Sequence, residues 1–447
     1  MIFKKLVNRI GIDKAILFTS ASSIVGTLGS VFTVLLVMRF FNEVEQGFYY
    51  TFGSILSIQI FFELGFNNII TQFAAHEIGN SKYRTSSITD YDYVAFSRLS
   101  SLLHLVIRWY AILCFALLFI LFFSGVYFFE KNSPENLQLS WRLPWLLVVV
   151  SSCLNFLISP IIAFLIGIGN IKEVSKLQLQ QNLIKIIVLL FGLLNGFKLF
   201  SIGLSLMVAF LYMSISAYKK YNNVLFVIWK IKIINRISYF KEIFPYQWKI
   251  ALSWISGYFI FQMFNPVLFA TEGPEVAGQM GMSLAALTGL STLSISWITT
   301  KIPLFSNLIA VQNFNKLKTE FNRAFKQSLF VNLLLLLLFI VFVAILKYFK
   351  IKLGLILVGN RFIDFLPLTL MVVATLINQI TSSWALYLRC FKKEPYLVNS
   401  IVGAILTTVS TFYFGHKYGL IGITGGYFFI TIIGLPWAFY VYQRNKI

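Results

Sequence analysis

The sequence predicts an all-α membrane protein with about 12 transmembrane helices arranged in two six-helix lobes. Three observations predict it. Hydrophobic residues make up 58% of the 447 positions and charged ones 12%, and mean hydropathy is +0.79. Soluble domains carry about 25% charge, so no water-soluble fold buries this much apolar surface. Continuous apolar stretches of about 20 residues recur along the chain, each enough to cross a bilayer at ~1.5 Å per residue. Basic residues alternate between dense and sparse loops, as in polytopic proteins.

The basic N-terminus, MIFKKLVNRIGIDK, precedes a 24-residue run, Ala15–Met38. That run spans fully and reads as a first helix; a cleaved signal has an apolar core of ~7–15 residues. The second span, 47–75, is 29 residues long and carries one charge, Glu63. The third, 105–129, has Arg108 about one turn inside it. The fourth, 143–169, contains Pro160, an expected kink. The fifth, 177–197, contains Lys185, and a tight 197–199 turn leads to the sixth, 199–218. Spans 250–271, 276–300, 327–346, 365–388, 395–414 and 418–442 complete the set, with a second kink expected at Pro303. The runs are continuous and do not alternate, which argues for helices over a closed barrel. Residues 219–249 read as a cytosolic linker, and their mixture of apolar and basic residues suits a segment lying in the interface against anionic lipid. The lobes are then 1–218 and 250–447.

Charge sets the orientation. With the N-terminus in the cytosol, inner segments hold 26 Lys and Arg and outer segments hold nine. Both termini and the 219–249 linker are therefore predicted cytosolic. The outer loop 347–361 is the exception, with four basic residues and no acid. The net charge of +21 does not indicate nucleic acid, because it is spread over topology-setting loops. Cys114, Cys153 and Cys390 are isolated and give neither a metal-ligand spacing nor a disulfide framework. The three histidines, His76, His104 and His416, lie at or near span ends, and there is no nucleophile elbow or phosphate loop. No cofactor and no enzyme chemistry are expected.

The two halves look like repeats. FNEVEQGFYY links the first two spans and TEGPEVAGQM links the seventh and eighth; each has an acidic turn followed by a glycine, Gly47 and Gly278. The fourth span opens LPWLLVVVSSCLN and the tenth opens LPLTLMVVATLIN, which aligns Asn155 with Asn378. The sixth opens SIGL and the twelfth LIGI. Six helices per repeat is an even number, so the halves are parallel, related by an axis along the membrane normal.

Intramembrane charge is the informative group. Glu63 lies 12 residues before Ala75, roughly 18 Å along the helix axis. A charge at that depth costs ~2.5–3.5 kcal/mol on insertion scales and is kept where it faces a bundle interior or a wet cavity. It is either a structural, hydrogen-bonded Glu or a group in a transport path. Lys185 lies 11 residues beyond Val174, roughly 16 Å in. Its depth matches that of Glu63, so the two are expected to share a cavity and to be coupled. The alternative is a fifth span that begins later, with Lys185 snorkelling. Gln178, Gln180, Gln181 and Asn182 make this span unusually polar. Asn155 and Asn378 either bond between helices or line the cavity. Arg108 snorkels to the cytosolic interface or joins the same path.

EQGFYY (45–50), ELG (63–65) and the LP…N openings of the fourth and tenth spans resemble the polysaccharide repeat-unit (Wzx-type) flippases. These belong to the MATE-like superfamily of multidrug, oligosaccharidyl-lipid and polysaccharide exporters. Glu63 departs from the Asp found in many members and reaches further. The resemblance implies a V-shaped bundle with alternating access in a bacterial cytoplasmic (inner) membrane. It implies a flippase moving polyprenyl-diphosphate-linked oligosaccharide to the outer leaflet for O-antigen or capsule synthesis. It also implies a possible coupling cation, and a polysaccharide polymerase as partner. Lys185 suits a diphosphate, and Glu63 suits coupling to protons or another cation. Two alternatives stay open: a cation-coupled exporter of drugs or small solutes, and a membrane-embedded glycan polymerase or ligase. The second usually carries a large outer loop, and those here are short.

Overall fold

The computed structural model describes residues 14–82, 90–134, 139–353, 356–391 and 394–446. Part of the predicted inner charge, in 1–13, 83–89 and 392–393, lies outside them. In order the helices are α1 (Lys14–Phe40), α2 (Glu43–Leu56), α3 (Ile60–Glu63), α4 (Phe66–Lys82) and α5 (Asp90–Asn132). Then come α6 (Arg142–Gly167), α7 (Ile171–Leu194), α8 (Phe200–Lys230), α9 (Phe244–Phe261) and α10 (Phe264–Glu272). The last are α11 (Pro274–Thr299), α12 (Ile302–Ala310), α13 (Phe314–Tyr348), α14 (Phe365–Arg389) and α15 (Leu397–Asn445). Between α13 and α14, β1 (Lys352–Leu353) and β2 (Ile356–Leu357) form a two-residue antiparallel pair.

The fold is all-helical, as predicted. Among the described residues eight helices are long and apolar enough to cross a membrane, or nine if Glu43–Glu63 and Phe66–Ile78 count as one bent span. The other three of the predicted twelve are less regular. The described apolar part of the first is the shorter helix Val25–Phe40. The seventh is split between α9 and α10. The eleventh and twelfth share α15, interrupted at Gly419, whose φ is +57°. Pro303 sits in the first turn of α12, after a break at Thr300 and Lys301. Proline is tolerated there because its missing N–H is unused.

The second span departs most from expectation. A single helix over 47–75 is predicted, but the chain breaks after Glu63 and bends by 40°. Leu64 and Gly65 both adopt left-handed backbone, at φ +49° and +67°. A leucine there costs about 1–2 kcal/mol. Gly65 is required for space as well, since an added Cβ would lie 2.5 Å from Ile250 Cγ2.

The chain forms two compact units. The first contains the described residues up to Gly29, Ile58–Phe128 and Ser140–Trp254. Here α6 packs on α4 and α8, and α7 packs on α8. Glycine sets several approaches: a Cβ on Gly125 would meet the buried Trp145 ring, and one on Gly167 would lie 2.7 Å from the Thr71 carbonyl oxygen. The lipid-suited face of α5 exposes Phe115, Phe119 and Phe123 at four-residue spacing.

The second unit contains Ser30–Ser57, Phe129–Leu139 and Ile255–Ile447. Its bounds differ from the lobes 1–218 and 250–447, because α2 joins the C-terminal helices. Asn42 and Glu45 close a capping box that starts α2. Phe48 and Phe52 then pack with Phe129 and Phe269 in a buried aromatic cluster. Gly47 and Gly278, each of which follows an acidic turn in the sequence, lie against each other where α2 crosses α11. Small residues at such a crossing let backbones approach closely.

Candidate functional site

The break in the second span builds the site. Glu63 ends α3 and Asn67 lies in the first turn of α4, on the other side of Leu64–Gly65. Asn67 Nδ2 donates to Glu63 Oε1 at 2.7 Å and to Ser159 Oγ at 3.1 Å. Tyr110 Oη donates to Asn67 Oδ1 at 3.2 Å. Ser159 is oriented by its neighbour: Pro160 has no N–H, which frees the Phe156 carbonyl. Ser159 Oγ donates to that carbonyl at 2.8 Å and so presents its lone pairs to Asn67. One turn before Glu63, Gln59 Oε1 accepts from Ser152 Oγ at 3.1 Å. A half-buried carboxylate is thus held by a polar chain running through α4, α5 and α6.

Asn67, Tyr110 and Ser159 are not among the sequence-predicted site residues. Asn67 had a legible signal, four residues after Glu63 and so on the same face of a helix. Tyr110 and Ser159 had none, because their roles depend on which helices become neighbours.

Lys185 does not meet Glu63. No ion pair joins them, and Glu63 is instead bound by Asn67. The two do not form the ion pair that their matching depth suggests: equal depth along two helices does not fix the faces they present. Lys185 is exposed, but not toward lipid. The outward stripe of α7 is Leu183, Ile187, Phe191 and Leu194, all exposed. Lys185 is two residues from Leu183 and from Ile187, about 200° around the helix. It shares a stripe with Gln181, and with the buried Leu189 and Gly192. Its side chain is therefore exposed on the face of α7 opposite that stripe.

The surrounding amides are partly used for packing. Gln181 Nε2 donates to Asn155 Oδ1 at 3.4 Å and to the Ala209 carbonyl at 3.3 Å. Asn155 Nδ2 donates to the carbonyls of Ser151 at 2.8 Å and Leu206 at 3.1 Å. These bonds tie α6, α7 and α8 together. Gln180 accepts from Tyr212 Oη at 2.8 Å. Asn182 Nδ2 lies 3.5 Å from Ser22 Oγ and beside Gly26 of α1. In the second unit Asn378 Nδ2 donates to Tyr427 Oη at 2.7 Å, joining α14 to α15. Both Asn155 and Asn378 thus bond between helices. Arg108 is exposed on α5.

One of the four basic residues of 347–361 has a structural role. Arg361 is fully buried. Its guanidinium donates to the Phe41 carbonyl and, at 3.3 Å, to Gln46 Oε1. Gln46 Nε2 donates back to the Arg361 carbonyl at 3.0 Å and to the Gly278 carbonyl at 2.8 Å. In the first unit, Arg98 binds Glu77 at 2.8 Å and Glu242 at 2.5 Å. Burial pushes the Glu242 carboxyl up, but the Arg98 bond, the Ser238 N–H and the Arg98 charge outweigh it and hold it below its ordinary value.

No family model and no curated protein matches the chain. Solved structures do. The MATE multidrug transporter DinF-BH, in a complex with a bound ligand, is similar with a TM-score of 0.62 at 12% identity, over 97% of this chain and 95% of that one. The Vibrio cholerae MATE transporter VcmN in its bent form gives 0.59 at 14%, over 97% and 96%. The lipid II flippase MurJ, in an inward closed conformation, gives 0.56 at 17%, over 95% and 87%. At these identities the likeness speaks for the fold, and over nearly its whole length this chain has the fold of the MATE transporters and MurJ.

Proposed function

We propose that the protein is a flippase that moves a polyprenyl-diphosphate-linked oligosaccharide from the cytosolic to the outer leaflet of a bacterial inner membrane, for O-antigen or capsule synthesis. Lys185 carries this reading. It is a basic side chain near mid-span, exposed on the face of α7 opposite the apolar stripe Leu183, Ile187, Phe191 and Leu194. A membrane protein retains such a charge where it meets water or an anionic partner. A diphosphate is that partner, and the neighbouring Gln and Asn groups suit sugar hydroxyls. The lipid tail stays in the bilayer, so a protein of this size need not enclose it. The shared fold with a lipid II flippase supports the class of cargo. A polysaccharide polymerase would then receive the translocated unit.

Glu63 favours a second reading, a cation-coupled exporter of drugs or small solutes. Its carboxylate and the Asn67–Tyr110 chain suit proton or cation exchange, and the MATE likeness fits. The polymerase or ligase reading gains nothing from this fold.

Cells lacking the protein decide between them. The flippase reading expects the lipid-linked repeat unit to accumulate on the cytosolic leaflet and surface polymer to be lost. Wild-type protein restores both, and Lys185→Ala at equal abundance does not. Unchanged surface glycan with greater sensitivity to cationic drugs would establish the exporter instead. Single, unpolymerised units on the surface would return the polymerase.

A further inference from the structure

The segment that joins α8 to α9 is two-faced. One face is fastened to the start of α5. Ser97 Oγ accepts from the N–H groups of Ile234 at 2.8 Å and Asn235 at 3.2 Å. Ser101 Oγ accepts from Ile237 N–H at 3.1 Å, and Ser100 Oγ donates to the Ile231 carbonyl at 3.1 Å. Ile237, Ile243 and Gln247 are buried beneath it. The other face presents Phe240 at 77%, Phe244 at 45% and Trp248 at 41% exposure. Lys232, Arg236, Lys241 and Lys249 of the same segment are also exposed, and Lys249 Nζ lies 5.6 Å from the Trp248 ring centre.

The charge on this outer face is unbalanced. Glu242 is the one acid in 219–249. Its carboxylate is engaged by Arg98 and by the Ser238 N–H at 2.9 Å. Among the described residues none of the four cations forms an ion pair. Aromatic rings favour the boundary between headgroups and acyl chains, and clustered Lys and Arg are drawn to the anionic lipids of the cytosolic leaflet. Each charge near such a surface changes affinity roughly fivefold at low salt. A segment fixed along one side by four side chains of α5 cannot turn this face away without breaking those bonds.

We propose that the 231–249 strap is a seat for anionic phospholipid headgroups, with Lys232, Arg236, Lys241 and Lys249 meeting phosphate while Phe240, Phe244 and Trp248 enter the bilayer boundary. The seat is independent of what the protein transports.

The test uses the full chain in nanodiscs with either brominated phosphatidylglycerol or brominated phosphatidylcholine at equal mole fraction. Trp248→Phe identifies the part of the fluorescence that belongs to Trp248. That part is expected to be quenched more by phosphatidylglycerol. The excess should fall at least fivefold in Lys232→Ala/Lys241→Ala/Lys249→Ala, persist when the same three become Arg, and shrink in about 0.5 M salt. Equal quenching by the two lipids, an excess that survives the alanine variant, or no quenching by either would overturn the proposal.

Discussion

Gly47 and Gly278 meet backbone to backbone: a Cβ added to Gly278 would lie 2.8 Å from the Gly47 nitrogen, and one added to Gly47 would overlap the Pro274 carbonyl oxygen. Neither contact is with a flexible side chain, so relief requires the helices to part. Gly47→Ala should therefore destabilise the fold by about 1–3 kcal/mol or more. Gly53, on the same helix, has nothing within 4 Å of a built Cβ. Gly53→Ala should be neutral or stabilise by about 0.5–1 kcal/mol. Thermal unfolding of the two purified variants in detergent checks this. Equal midpoints would mean that the crossing is looser than described.

Arg361 and Gln46 form a reciprocal pair, side chain to side chain and side chain to backbone. A planar fork supplies the geometry, and an ammonium does not. Arg361→Lys should cost about 1.5–3 kcal/mol, the range for hydrogen bonds from a charged group. In a double-mutant cycle, Arg361→Gln and Gln46→Ala should couple by at least about 0.5 kcal/mol. Additive losses would show that Arg361 acts through the Phe41 carbonyl alone.

The Arg98–Glu242 contact makes the strap sensitive to acid. The Glu242 carboxyl is held below its ordinary value of 4.5. A depressed carboxyl stabilises the folded state fully above that ordinary value, and the contribution is lost as pH falls through the lower folded value. Hydrogen-exchange protection at Ile234 and Ile237, whose N–H groups bond Ser97 and Ser101, should thus be level near neutrality and fall below about pH 4.5. In Glu242→Gln it should be lower at neutral pH and vary less with acid. The same profile in variant and wild type would assign the acid response to another group.

Because Glu63 is bound by Asn67 and not by Lys185, the two charges should act separately. Effects of Glu63→Gln and Lys185→Gln on translocation should add within about 0.5 kcal/mol of activation free energy, as for sites without shared partners. Glu63→Gln keeps an acceptor for Asn67 and should leave the unfolding midpoint nearly unchanged. Asn67→Leu also strands Tyr110 Oη and should lower it. Measured coupling between Glu63 and Lys185 would mean that they approach each other in a second conformation.

Much of the fold was legible because a bilayer is a demanding solvent. Every backbone group must be satisfied within the spanning segment, so long apolar runs such as Leu333–Leu346 announce helices directly. The matching turns FNEVEQGFYY and TEGPEVAGQM picked out Gly47 and Gly278 without showing that they touch. Glu63 and Lys185 stood out because charge at that depth is costly wherever it points.

The sequence by itself determined the helical class, the approximate spans, their charge asymmetry and the identity of the intramembrane ionisable groups. These follow from transfer free energies and chain length, which are properties of each segment alone. The tertiary structure decided the break at Leu64–Gly65, the Asn67 bond that holds Glu63, the separation of Glu63 from Lys185, and the burial of Arg361. Each depends on rotation about a helix axis and on which neighbour arrives. A turn of about 100° per residue changes every partner while leaving depth and hydropathy nearly the same, so hydropathy does not encode it.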